Sequence, residues 1–360
     1  MSNNRPTIHM IGLFHTVPNQ EYSHCAFTGK VLRWAKMMQR EGWDCVEYSN
    51  GNSESGCNKI IQILSEVELK TFIGKDPVFH GDIATIGSPH HAEFEKRLLI
   101  ALLNTVKDGD IICHPFGAAH SKVISLFPNN CYHIESGIGY PDQMESTFKI
   151  FESHAWRNFC YGKSNSSGKN FDFVIPNYFD LDDWNINLNP EGYIAYFGRI
   201  CSVKGLNTVA EIANRINIPV IACGQGDTTP WKDSKIIFQP PITGTDRSKF
   251  LGNARAILAP TEYIEPLGGS NIEAALCGTP MISVDYGCFQ ETNPIEGVTG
   301  YRCKMLREWL ESIEKCTNID RTKVAEYARS KYSLEVCGKQ YTAAFEQIMT
   351  LSERGWYTAC

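Results

Sequence analysis

Short apolar runs of strand length alternate with segments of helical spacing through most of this chain. Residues 7–14 read as a strand that ends in the loop His15-Thr16-Val17-Pro18. A helix follows from Thr28, with Val31, Leu32, Ala35 and Met38 on one face and Gly42 as its stop. Residues 45–48 form the next strand. Such a β-loop-α-β opening is that of nucleotide-handling α/β folds, and its first loop is long for the unit. Residues 50–95 mix Gly, Ser, Asn and charge without period and predict a variable loop with short helices. Further on, 94–106 predicts a helix, 110–113 a strand, 121–127 a helix and 130–135 a strand. Residues 148–159 predict a helix carrying Glu152, His154, Trp156 and Arg157, and 173–176 a short strand.

The alternation pauses in DLDDWNINLNP, residues 180–190, which is polar and aperiodic. It restarts with a strand at 192–197, and Leu206, Val209, Ile212, Ala213 and Ile216 make an amphipathic helix. Strands at 219–223 and 235–238, a short helix at 246–253, a strand at 256–259, a helix from Ser270 and a strand at 281–284 follow. After Tyr301 come helical stretches at 305–316, 321–331 and 333–349. Tyr341, Phe345 and Ile348 give the last one an apolar face, which either caps its own domain or packs back on the first. The repetition implies parallel sheets with helices on both faces. The expected organisation is α/β: a Rossmann-like domain over 1–180, a linker over 181–190, a second such domain over 191–332, and a helix over 333–360 returning toward the first.

Composition changes this picture little. A chain of 360 residues suits roughly two domains of about 150. With 42% hydrophobic and 21% charged residues it buries a large core without staples. A net charge of −6 argues against a nucleic-acid footprint, so no nucleic-acid partner is expected. The 14 cysteines include no C-x-x-C pair. No signal sequence and no run of 18 apolar residues is seen, so the expectation is a cytoplasmic protein with buried thiols and no transmembrane segment.

The chemistry concentrates in AILAPTEYIEPLGGSNIEAALCGTPMISVD, residues 256–285. Pro266 keeps Glu265 extended, so no helix passes through it. Gly268-Gly269-Ser270 then open a helix, and a glycine turn at a helix start suits phosphate. Glu265 and Glu273 on either side suit sugar hydroxyls. Alternatively, Ser270 and Glu273 are a capping box and Glu265 a solvated loop acid. Arg199 and Lys204 supply two cations in the loop 198–205, or a solvated pair. Gly224-Gln225-Gly226 at a strand exit lacks a third glycine, so no dinucleotide fingerprint is claimed, though Gly224 stands with the substrate-binding candidates. In the first half, His15, His24 and Thr28 can face a ligand or be satisfied loop residues. His114-Pro-Phe-Gly-Ala-Ala-His120 is a His- and Gly-bearing turn where open sheets place ligand contacts. Asp180-Leu-Asp182 matches a metal pattern only superficially, and no metal site is expected.

Together these parts resemble a family. Gly198-Arg199 with Lys204-Gly205, Val174-Ile-Pro-Asn177, and E-P-x6-E-A-x2-C-G-T-P at 265–280 resemble the retaining glycosyltransferases of family 4, with the GT-B fold, over essentially the whole chain. Tyr22 to Thr28, Gly137 to Tyr140 and Phe151 to Trp156 resemble a subgroup of viral and bacterial members. The resemblance implies two Rossmann-like domains facing across a cleft. It implies a nucleotide diphosphate sugar as donor (UDP- or GDP-sugar), a carbohydrate acceptor and no cofactor. Arg199 and Lys204 would hold the diphosphate and Glu273 the ribose. Glu265 and the amides of Gly268 to Ser270 would hold sugar and phosphates. The family's catalytic-side histidine corresponds to His114 or His120. Gly269 stands where many relatives carry a larger apolar residue. The alternatives are a nucleotide-sugar epimerase of the same fold, a phosphorylase, a non-catalytic nucleotide-sugar-binding module, and a transferase acting on DNA bases.

Overall fold

The computed structural model describes residues 5–22, 26–74, 84–127, 130–145 and 148–353; His24 lies outside the described residues. The first half runs β1 (Ile8–Ile11), α1 (Ala26–Arg40), β2 (Cys45–Ser49), β3 (Lys59–Gln62), α2 (Glu66–Ile73), α3 (Pro89–Leu103), β4 (Ile111–Cys113), α4 (Lys122–Leu126), β5 (Tyr132–Ile138), β6 (Phe148–Phe151), α5 (His154–Ser164) and β7 (Phe173–Val174). The second runs β8 (Tyr193–Phe197), α6 (Leu206–Arg215), β9 (Val220–Cys223), β10 (Ile236–Gln239), α7 (Gly244–Asn253), β11 (Ala254–Ala259), α8 (Gly269–Leu276), β12 (Met281–Val284), α9 (Phe289–Thr292), β13 (Gly300–Cys303), α10 (Leu306–Lys315), α11 (Arg321–Tyr332) and α12 (Leu334–Glu353).

The chain divides into two compact units: 1–152, 166–178 and 334–360 in one, 153–165 and 179–333 in the other. The first holds a parallel sheet in the order β3-β2-β1-β4-β5-β6-β7. Its order reverses between β1 and β4, which places a crevice at their carboxyl ends. Apolar layers cover both faces. Val31, Trp34, Met38 and Phe345 pack under α1 and α12, and Phe94, Leu98 and Leu102 under α3. Leu334, Tyr341, Phe345 and Ile348 of α12 are at most 2% exposed, each such burial contributing about 1.5–3 kcal/mol. Trp43 Nε1 donates to Thr342 Oγ1 at 2.9 Å.

The second unit has the order β10-β9-β8-β11-β12-β13, again all parallel, reversing between β8 and β11. It includes residues 179–190: Trp184 is buried in its core, and Asp180 caps a 3-10 turn over Leu181–Asp183. It also includes α5.

The expected helix over 148–159 is corrected by the structure. Phe148, Ile150 and Phe151 are buried as strand β6, paired to β5, and the helix begins only after Ser153. Ser153 Oγ accepts from the Trp156 N–H at 3.0 Å, the usual capping geometry. Also absent from the sequence reading are β3, α9 and β13, while α2 falls among the short helices expected over 50–95. α2 had a readable signal, the capping box Ser65-x-x-Glu68 closed by Gly74 at φ +73°. Among the described residues no helix is long and apolar enough to cross a membrane.

Candidate functional site

The loop leaving β8 lies directly on the exit of β9. Gly198 N–H donates to Cys223 O at 3.1 Å and Ile200 N–H to Gln225 O at 2.8 Å. A Cβ at Gly224 would stand 1.7 Å from Gly198 O, and one at Gly226 2.1 Å from Ile200 O. Both positions are therefore glycine because another backbone crosses them.

The same loop is then pinned to the exit of β11. Gly205 adopts φ +82°, and a Cβ there would meet Pro260 O at 2.1 Å. Glu262 N–H donates to Val203 O at 3.0 Å. These contacts bring Lys204 to Glu265: Nζ donates to Oε1 at 2.5 Å, and Thr261 Oγ1 donates to the same oxygen at 2.6 Å. Lys204 Nζ also lies 5.1 Å from the centre of the Tyr263 ring. Burial works against the ammonium charge, but Glu265 and Tyr263 outweigh it and hold the Lys204 pKa above its usual value. Arg199 differs: its side chain is exposed, while its carbonyl accepts from Tyr196 Oη at 2.6 Å.

Helix α8 begins at Gly269, not Ser270. Gly268 is the N-cap at φ +75°, and a Cβ there would press on Phe289 Cε1 at 2.9 Å. No side chain caps this helix, so the capping-box alternative for Ser270 and Glu273 is corrected. Glu273 is instead ion-paired with Arg247 of α7. The Arg247 guanidinium carbon sits 4.6 Å from the Phe197 ring centre and 5.9 Å from that of Trp184. No spacing in the sequence marks Arg247, which is joined to Glu273 only by the packing of α7 on α8. The preceding loop is held too: Ser153 Oγ donates to Pro266 O at 2.6 Å, and Glu291 accepts the His154 and Ala155 N–H groups at 2.9 and 2.8 Å.

The second unit thus gathers a protonated lysine, a carboxylate and an uncapped helix start. That set complements a diphosphate and sugar hydroxyls.

In the first unit the four expected residues lie near the carboxyl ends of β1 and β4, all buried. His15 touches Phe14 and Phe116, and burial pushes its pKa down to about 4. Thr28 Oγ1 meets Thr16 Oγ1 at 2.9 Å. His120 is stacked on His91 and packed against Phe94, its pKa pushed down by burial to about 3. His114 Nε2 lies 3.0 Å from His133 Nδ1.

Residues 180–331 match the family model described as glycosyl transferases group 1. A 2-deoxystreptamine N-acetyl-D-glucosaminyltransferase of Niallia circulans is 32% identical over 108 residues, 26% of this chain and 28% of that protein. The chain thus aligns with little more than a quarter of that relative's length. Among solved structures, AviGT4, a glycosyltransferase involved in avilamycin A biosynthesis, superposes with a TM-score of 0.65 at 16% identity, covering 96% of this chain and 98% of that one. Anabaena Alr3699/HepE in complex with UDP and glucose gives 0.66 at 13% identity, covering 95% and 100%. At such identities the structures speak for the fold alone. The chain has the α/β GT-B fold of glycosyltransferase structures.

Proposed function

We propose that this chain is a retaining glycosyltransferase that moves a sugar from a nucleotide diphosphate sugar to a hydroxyl of a carbohydrate acceptor. The observation that carries the reading is Lys204 seated on Glu265, whose own loop leads to the uncapped start of α8. Lys204 stays protonated at neutral pH and offsets the charge that develops on the departing diphosphate. Arg199 and the first N–H groups of α8 add to this electrostatic stabilisation, which needs no reorganisation during reaction. Glu265 accepts from hydroxyls of the transferred sugar, and Glu273, gripped by Arg247, from those of the ribose. The bond from the anomeric carbon to the phosphate oxygen breaks. The acceptor oxygen bonds the same face, and its proton passes to the leaving phosphate, so no enzyme nucleophile or metal is required. A UDP-sugar is the preferred donor in this reading, supported by the UDP complex of the similar Anabaena protein. A cytoplasmic setting belongs to the same reading, supported by buried free thiols such as Cys113, Cys277 and Cys288.

A thermal-shift panel of UDP, GDP and their sugars tests the donor, because a ligand binding only the native state raises its Tm. A shift with UDP, UDP release with an added sugar acceptor, and a product of unchanged anomeric configuration are expected. No shift with any nucleotide diphosphate overturns the reading.

A further inference from the structure

Phe127, His133 and His114 form a chain of hydrogen bonds, half-buried at Phe127 and buried at the histidines, whose direction is set from one end. His133 Nε2 lies 2.9 Å from the Phe127 carbonyl oxygen. A carbonyl only accepts, so His133 Nε2 carries the proton. Burial holds the His133 pKa below its usual value, so the ring is neutral near pH 7 and its Nδ1 bears a lone pair. His114 Nε2, 3.0 Å from that lone pair, must then be the donor. His114 is neutral as well, its pKa held well below the usual value by burial and by the neighbouring His133 and His120. Its remaining nitrogen, Nδ1, is therefore the unprotonated one. That atom is buried and has no hydrogen-bond partner among the described residues. His114 directly follows β4, at the point where the strand order of its sheet reverses.

We propose that His133 is a positioning residue, which locks His114 as the Nε2–H tautomer and turns its Nδ1 into a hydrogen-bond acceptor for a substrate hydroxyl. The choice of a hydroxyl follows from the lone pair: it accepts from O–H and repels phosphate oxygens and carbonyls, which have no proton to give. A tautomer set by a fixed neighbour is the same logic by which a buried carboxylate orients a catalytic imidazole in serine proteases. The ligand class rests on the sugar-transfer reading above; the tautomer does not.

The test is long-range 1H–15N NMR of the histidine-labelled full chain between pH 6 and 8, with His114 assigned by its loss in His114→Gln. A protonated Nε2 and a bare Nδ1, unchanged across that range, are expected. His133→Gln offers an oxygen toward His114 and an N–H toward Phe127, so it keeps the tautomer. His133→Leu has neither and releases it. In turnover with a UDP-sugar, His133→Leu loses at least about tenfold in kcat while UDP affinity stays unchanged, and His133→Gln recovers most of the loss. A protonated Nδ1 on His114 in the unmodified chain, or an intact Nε2–H signal in His133→Leu, overturns the proposal. If His133→Leu does not fold, the spectra of the unmodified chain and of His133→Gln decide. A chain without transferase activity but with this tautomer refutes the sugar-transfer reading and leaves the positioning role standing.

Discussion

Lys204 Nζ donates to Glu265 Oε1 at 2.5 Å, joining the loops that leave two neighbouring parallel strands, β8 and β11. Lys204→Ala is expected to lower transfer by on the order of 10²–10³-fold, the usual effect of removing one preorganised charge-stabilising group. The variant should fold but with a lowered Tm, because the buried Glu265 carboxylate loses its cation. Because the folded pKa of Lys204 is raised, the pair's contribution to stability is present in full below the lysine's unfolded pKa. It is lost only as pH rises through the folded value. Near-normal turnover in Lys204→Ala would remove Lys204 from the site.

Arg247 reaches Glu273 from another helix. Arg247→Ala leaves that buried carboxylate without its cation, which costs about 1.5–3 kcal/mol for a charged hydrogen bond. UDP should bind at least several-fold more weakly, as it should in Glu273→Ala. Isothermal titration of both single variants and the double variant measures the coupling. Additive losses would show that the pair does not act together on the ligand.

Gly224→Ala tests the backbone crossing. Its Cβ would stand 1.7 Å from Gly198 O, so the loop carrying Arg199 and Lys204 must move. A stability loss of about 1–3 kcal/mol is expected, together with weaker UDP binding. Urea unfolding and titration report the two separately. A variant with unchanged Tm and affinity would mean that the loop yields without consequence.

Glu135, buried on β5, has its pKa pushed up to about 7 by desolvation, which Lys149 and the Met144 N–H only partly offset. Its folded pKa lies above its unfolded one, so the folded state binds more protons between about pH 4 and 7. Stability from this group therefore falls as pH rises through that window. Glu135→Gln cannot ionise, so relative to the unmodified chain it should gain up to about 3 kcal/mol between pH 4 and 8. Urea unfolding at both pH values checks it, and an equal difference at the two would refute the assignment.

Much of the site was legible because its signals are local. Pro266 after Glu265, the glycines at 268 and 269, and Lys204-Gly205 each restrict the backbone within one or two residues of themselves. Ser270 and Glu273 misled for the same reason: their spacing fits a cap, but Gly268 in the left-handed region starts the helix earlier. Ser270 then falls inside the first turn and Glu273 beyond it. In the first half, Phe148 to Phe151 is consistent with either helix or strand as a bare string, and only pairing to β5 decides. Residues 180–190 look like free linker, yet burial of Trp184 draws them into the second unit.

By itself the sequence determined the alternation of strands and helices, the parallel α/β class and the glycine turn that begins α8. These follow from hydrophobic period and from backbone restrictions that act between neighbours along the chain. Tertiary structure alone decided which distant groups meet: Lys204 with Glu265, Arg247 with Glu273, and His114 with His133 and Phe127. The reason is that ion pairs and buried hydrogen bonds depend on separation in space, and within a parallel sheet that separation is set by strand order and register, which no local pattern encodes.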